Sequence, residues 1–252
     1  MKIVTYNLNG IRAAIKKDLM IFLNQVQADV ICFQEIKADI GQIPTELFES
    51  MGYTCYWYPA VKKGYSGVGI ISKIPVFGVK YGCNHPLFDN EGRVISITLA
   101  NCTIMSAYFP SGTTGDMRQQ IKYEFLTYFY DYVAEFRKEN HPLIIAGDYN
   151  ICHKAIDIHN PISNKNSSGF LPEERAWMDK WFDADFQDSF RLINPTPHNY
   201  TWWSYRAGAR KNNKGWRIDY ISVDKKLRIT NAGLFANDMQ SDHCASFCEV
   251  SL

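Results

Sequence analysis

Five stretches of this chain bring an apolar run up against residues that can hold a cation or move a proton. They are Tyr6-Asn7-Leu8-Asn9, Phe33-Gln34-Glu35, Ala107-Tyr108, Ala146-Gly147-Asp148-Tyr149-Asn150, and Ser241-Asp242-His243 just ahead of the final apolar run. Glu35, Asp148 and Asp242 offer carboxylate oxygens, and Asn7, Asn9 and Asn150 offer amide oxygens and donors. Such hard oxygen donors, with few nitrogens and no thiolate, suit magnesium or manganese. The same set fits attack of water on an anionic ester. A cation neutralises charge, a carboxylate or imidazole activates the water, and amide, phenol and ammonium donors stabilise the crowded phosphorus. Any one of these strings is more often a surface turn than chemistry. Five of them at strand ends point to one shared rim, where rigid strands can aim side chains together.

The elements that must do the aiming are legible as short β-branched runs: Lys2–Tyr6, Val30–Phe33, Gly67–Ile71, Arg93–Leu99, Thr103–Tyr108, Leu143–Ala146, Arg217–Val223 and Ala245–Val250. Helical spacing predicts helices over Arg118–Lys138, with Ile121, Phe125, Leu126, Phe129, Val133 and Phe136 on one stripe, and over Arg12–Val26, Pro44–Met51 and Pro172–Phe182. Many strands and few helices imply two packed sheets flanked by helices. No repeat, low-complexity tract or long linker divides residues 1–252, so a single catalytic domain is expected.

Composition narrows the class. Of 252 residues, 46% are hydrophobic and 14% aromatic, enough for a sizeable core. No apolar run is long enough to cross a bilayer, and no export signal is visible, so no membrane partner is expected. The seven scattered cysteines lack a C-x-x-C pair, which disfavours a zinc site and fits a reducing cytoplasm rather than secretion. Net charge is only +1, but Arg206–Arg217 carries five basic side chains and no acid. Trp202 and Trp203 precede that stretch and Trp216 stands near its end. It reads either as a solvated loop or as a track for a nucleic-acid backbone.

Taken in order, the strings resemble the exonuclease III/abasic endonuclease family along nearly the whole chain. The similarity is carried by Thr-Tyr-Asn-Leu-Asn-Gly (5–10), Phe-Gln-Glu-Ile-Lys (33–37), Glu-Gly-Arg-Val (91–94), Ala-Tyr-Phe-Pro (107–110) and Gly-Asp-Tyr-Asn (147–150). It continues through Asn160-Pro161, Gly-Phe-Leu-Pro-Glu-Glu-Arg (169–175), Tyr-Thr-Trp-Trp (200–203), Gly-Trp-Arg-Ile-Asp-Tyr (215–220) and Ser-Asp-His (241–243). The resemblance implies a four-layered α/β sandwich and a magnesium-dependent nuclease, with manganese as a substitute. The expected substrate is duplex DNA with abasic sites or with blocked or recessed 3′ ends, cut by a monomer in base excision repair.

It also implies roles. Glu35 is the principal metal ligand, with Asn7 and Asp242 close by and Asp148, Asn150 and His243 around the ion. Asp148 orients or deprotonates the water and Asn150 hydrogen-bonds the phosphate. His243, held by Asp219, binds a phosphate oxygen or acts as acid–base, and Tyr108 eases departure of the leaving oxygen. Lys37 and Arg93 contact phosphates or support the site. Trp202, Trp216 and Phe170 are expected about a pocket for the extruded abasic sugar, whose flipping costs little because no base must unstack. The basic stretch would follow the duplex backbone, with Arg206 entering the duplex or gripping the strand.

The chain departs from the family pattern in three places. Asn9 stands where Asp is common, Cys244-Ala245 where Cys-Pro is common, and Ser167 where Asn is frequent. Two other readings remain: a sibling phosphodiesterase on the same scaffold, of deoxyribonuclease I, sphingomyelinase or inositol phosphatase type, and a catalytically silent DNA-binding protein.

Overall fold

The computed structural model describes residues 1–139 and 141–251. The first half of the chain runs β1 (Lys2–Asn7), α1 (Ile11–Ile15), α2 (Leu19–Val26), β2 (Val30–Gln34), α3 (Thr45–Glu49), β3 (Thr54–Tyr58), β4 (Val68–Ser72), β5 (Gly78–Tyr81), α4 (Pro86–Asn90), β6 (Val94–Thr98), β7 (Thr103–Tyr108) and α5 (Asp116–Phe136). The second half runs β8 (Leu143–Asp148), α6 (Pro172–Ala184), β9 (Phe186–Asp188), α7 (Ser189–Ile193), β10 (Asp219–Asp224), β11 (Arg228–Leu234) and β12 (Ser246–Ser251). The strands form two six-stranded mixed sheets, in the orders β11-β12-β1-β2-β4-β3 and β5-β6-β7-β8-β10-β9.

Alternation along each strand decides the layers, since successive side chains face opposite sides. In β1, Val4 and Tyr6 face α1 and α2, while Ile3 faces the other sheet; in β2, Ile31 and Phe33 pair off against Val30 and Cys32 in the same way. In β8, Leu143 and Ile145 lie under α5 and α6, and Ile144 and Ala146 face inward. Three apolar interfaces result, helix on sheet, sheet on sheet and sheet on helix, which make the expected four-layered sandwich.

The inward face explains why the chemistry sits at one rim. Following it along the strands, Ile3 gives way to Thr5 and then Asn7, and Ile144 to Ala146 and then Asp148. At the changeover Thr5 donates to Gln34 (3.1 Å), and Gln34 donates across the gap to Ser106 (3.0 Å). β1 is parallel to β2 and β7 to β8, so Asn7, Gln34, Tyr108 and Asp148 end on one edge. β10 and β12 are antiparallel to these, so their beginnings reach the same edge: Asp219 pairs with Asp148, and Ser246 with Thr5.

Two features differ from the sequence reading. The helix expected over Arg12–Val26 is broken: α1 ends at Ile15, and Asp18 takes a left-handed conformation (φ 63°) immediately before α2. The strands β3, β5, β9 and β11 and the short helices α4 and α7 were not anticipated; all four strands lie at sheet edges, and β11 carries a register irregularity. Among the described residues no helix is long and apolar enough to cross a membrane.

Candidate active site

The rim residues are held by hydrogen bonds between the two sheets. Asn7 Nδ2 donates to Glu35 Oε1 and to Asp148 Oδ2, both at 2.9 Å. Tyr108 Oη donates to Glu35 Oε1 at 2.9 Å. Lys37 Nζ lies 2.5 Å from Glu35 Oε2 and donates to Asn9 Oδ1 at 2.6 Å. Asn9 Nδ2 reaches Asp242 Oδ1 at 3.0 Å, and Trp202 Nε1 reaches its other oxygen at 3.1 Å. His243 Nδ1 pairs with Asp219 Oδ2 at 2.9 Å, and its Nε2 lies 3.9 Å from Asp148 Oδ2. Residues 7 to 243 thus meet at one place.

The backbone there is unusual. Asn9, Glu35, Lys37 and Asn150 all have positive φ, between 47° and 52°. Each left-handed non-glycine residue costs about 1 kcal/mol or more, and persists where the surroundings over-determine it. Gly147 has a different reason: a Cβ there would lie 1.8 Å from the carbonyl oxygen of Ala107, so only glycine lets β8 approach β7 immediately before Asp148.

Electrostatics follow from burial and crowding. Burial works against ionisation of Glu35, but Lys37 and the Asn7 amide outweigh it and hold the carboxyl below its ordinary range. Asp148 goes the other way: burial, and then the charge of Asp219, push it well up, with His243 opposing. Burial alone would lower His243; Asp219 overrides it and raises the imidazole. Burial and the Glu35 and Asp148 charges keep the Tyr108 phenol protonated. Four carboxyl groups, those of Glu35, Asp148, Asp219 and Asp242, crowd one imidazole and one ammonium, an excess of acidic over basic groups.

That excess is the ground for a cation site. Ligand atoms of Glu35, Asp148 and His243 lie within 4.8 Å of one another, and Asp219 Oδ1 is buried with no hydrogen-bond partner. A hard divalent cation fits this donor set. Beside it opens a cavity of about 1020 Å³, walled by Trp202, Trp216, Ile218, Asn150, His243 and Arg206. The two indoles meet edge to face at 6.1 Å.

Several expectations need revision. Phe170 does not face the cavity: it is 2% exposed, under the guanidinium of Arg175, and backs the wall from behind. Arg93 is 1% exposed and is committed to Glu91 (2.6 Å) and the Tyr108 carbonyl (2.8 Å), so it braces Tyr108 and has no free face for a phosphate. The basic stretch is not one track. Arg217 is fully buried against Asp157 (2.8 Å) and Asp188 (2.6 Å), and Arg210 donates to the carbonyls of Ser241, Ala236 and Asp238. Arg206, Lys211 and Lys214 remain exposed. Sequence reasoning passed over the buried pair Lys122–Glu174 behind Asn150. Its signal was present, a lone lysine on the apolar stripe of α5 one turn before Phe125 and Leu126.

A two-sheet sandwich with carboxylates, a carboxylate-held imidazole and a protonated phenol on one rim defines the class of metal-assisted phosphoester hydrolases. The chain belongs to the Endonuclease/Exonuclease/phosphatase family, whose model matches residues 4–243. It is 40% identical to an exodeoxyribonuclease of Bacillus subtilis (strain 168), over 97% of both chains, and 33% identical to DNA repair nuclease APEX1 of Danio rerio, over 97% of this chain and 80% of that one. The solved AP endonuclease of Archaeoglobus fulgidus superposes with a TM-score of 0.92 at 27% identity, covering all of both chains. These similarities place the protein among the nucleases of its family.

Proposed function

We propose that the protein is a magnesium-dependent DNA repair nuclease that hydrolyses the phosphodiester 5′ to abasic sites in duplex DNA and also trims 3′ ends. It would act as a monomer in the base excision repair of a bacterial-type cytoplasm, with manganese able to replace magnesium. The observation that carries this reading is the convergence of Glu35, Asp148 and His243 on one point beside an indole-walled cavity. Relatives named for exodeoxyribonuclease and DNA repair nuclease activity support the choice of DNA.

A bound divalent ion would be held by Glu35, with Asn7, Asp148, Asn150 and Asp242 about it, and would supply charge neutralisation at the phosphate; His243 borders the ion, but once protonated it has no lone pair for it. The remaining work falls to the side chains. Asp148 accepts a proton from the attacking water, and its contact with Asn7 keeps one oxygen aimed at the rim. Asn150 spends one amide hydrogen on the Phe109 carbonyl (2.9 Å), leaving the other for a phosphate oxygen. His243, protonated by the influence of Asp219, offers Nε2 to the same phosphate. As the bond between phosphorus and the 3′ oxygen breaks, Tyr108 would give its phenolic proton to that oxygen, leaving a 3′ hydroxyl and a 5′ phosphate. The cavity walled by Trp202 and Trp216 would receive the extruded abasic sugar.

The test is incision of a duplex bearing one tetrahydrofuran abasic analogue, with magnesium and with chelator. Cutting 5′ to the lesion only with metal is expected. Binding without cutting would establish a silent DNA-binding protein, and cutting of intact duplex at equal rate would establish a deoxyribonuclease I-like sibling.

A further inference from the structure

Lys122 and Glu174 are both fully buried, and their charged ends are 2.6 Å apart. An ammonium within an apolar stripe is costly, and apolar side chains of like volume often serve stability as well or better. Packing of α5 on α6 therefore gives no reason for the pair. Its hydrogen bonds do. Lys122 Nζ donates to the backbone carbonyl of Asn150 at 2.8 Å. Glu174 accepts from Gln119 (3.1 Å), from the Gly169 N–H (2.7 Å) and from the Leu171 N–H (3.0 Å).

The peptides so gripped border the reacting region. Asn150 is left-handed (φ 52°), its N–H is bonded to Asp148 Oδ1 at 2.8 Å, and its side chain to the Phe109 carbonyl. The Lys122 bond to its carbonyl fixes the remaining backbone group. Gly169 is also left-handed (φ 94°), and a Cβ there would lie 2.8 Å from the ring of Trp216 and 3.1 Å from the Asn150 carbonyl oxygen. One ion pair therefore sets both the phosphate-facing asparagine and the loop against which a cavity-wall indole rests.

Building on the role proposed above for Asn150, we propose that Lys122 and Glu174 are positioning residues for phosphodiester hydrolysis, holding Asn150 in the strained conformation that aims its amide at the phosphate. Their contribution reaches the reaction through Asn150 and is felt mainly in turnover.

The experiment is a mutant cycle on the tetrahydrofuran-bearing duplex with magnesium, measuring kcat, KM and thermal unfolding for Lys122→Met, Asn150→Ala and the double variant. We expect Lys122→Met to lower kcat roughly 30-fold with KM within about threefold, and to slow Asn150→Ala by no more than about twofold further. Lys122→Arg should recover part of the loss. Should Lys122→Met fail to fold, the isosteric Glu174→Gln is read by the same cycle, with a smaller loss of kcat that also vanishes in the Asn150→Ala background. A folded Lys122→Met with wild-type kcat, or losses that multiply with those of Asn150→Ala, would overturn the inference. Wild-type kcat in Asn150→Ala alone would instead strike the underlying reading of that asparagine.

Discussion

Asp219 is not itself placed about the ion, yet it governs the charge of His243, to which it is hydrogen-bonded. Burial disfavours the imidazolium of His243, and Asp219 at 2.9 Å reverses that preference. Replacing Asp219 by Asn removes the opposing charge while keeping the hydrogen bond's shape. The His243 pKa should then fall, with Asp148 and Asp242 still supporting the charged ring, read by NMR titration of the imidazole; an unchanged midpoint would contradict this. Asp148 carries a heavier load, since water activation and electrostatics are lost together in Asp148→Asn. That variant should keep its unfolding temperature and lose about a thousandfold or more in incision rate. Near-normal turnover would remove Asp148 from its role. Asp148 and His243 were legible as acid and base types at the ends of apolar runs taken together, whereas Asp219 entered only through the family resemblance. Lys122 and Glu174 were not legible, because a buried pair announces itself only when its partner, 52 positions away, is seen in contact.

Strands and loops were legible in proportion to their burial. Every central strand came through, because a strand buried on both faces reads as a continuous apolar run. The edge strand β11, Arg-Ile-Thr-Asn-Ala-Gly-Leu, exposes much of itself and leaves no such run. The loop after Arg206 was misread for another reason: nothing local distinguishes exposed Lys211 from buried Arg217, whose acid partners lie 60 and 29 positions away. That burial has a consequence for acid stability. Burial would raise Asp157, but Arg217 and Arg191 outweigh it and depress its pKa to about 2. A depressed carboxyl stabilises the fold fully above its unfolded value near 4, and the contribution fades as pH falls through 2. Asp157→Asn should therefore cost roughly 2 kcal/mol at neutral pH, and its deficit relative to wild type should shrink between about pH 4 and 2 in denaturant titrations. A deficit independent of pH would show that the loss is one of packing.

The molecule as a whole carries a charge of only +1, so attraction for a polyanion must come from local groups. Arg206, exposed at the cavity mouth, is the clearest of them. Arg206→Ala should weaken binding to abasic duplex and flatten the dependence of log affinity on log salt by about one. Unchanged affinity and slope would take Arg206 off the DNA. The two sheets contribute different halves of the rim, Asn7 and Glu35 from one and Tyr108, Asp148 and Asp219 from the other. The thickness of the apolar filling between them, Cys32, Ile70, Ile97, Ile104 and Ile144 among others, therefore acts as a caliper for the distance between carboxylates. A methyl group trimmed deep in that filling would register as slack in cation coordination, so interior repacking and metal preference are expected to drift together.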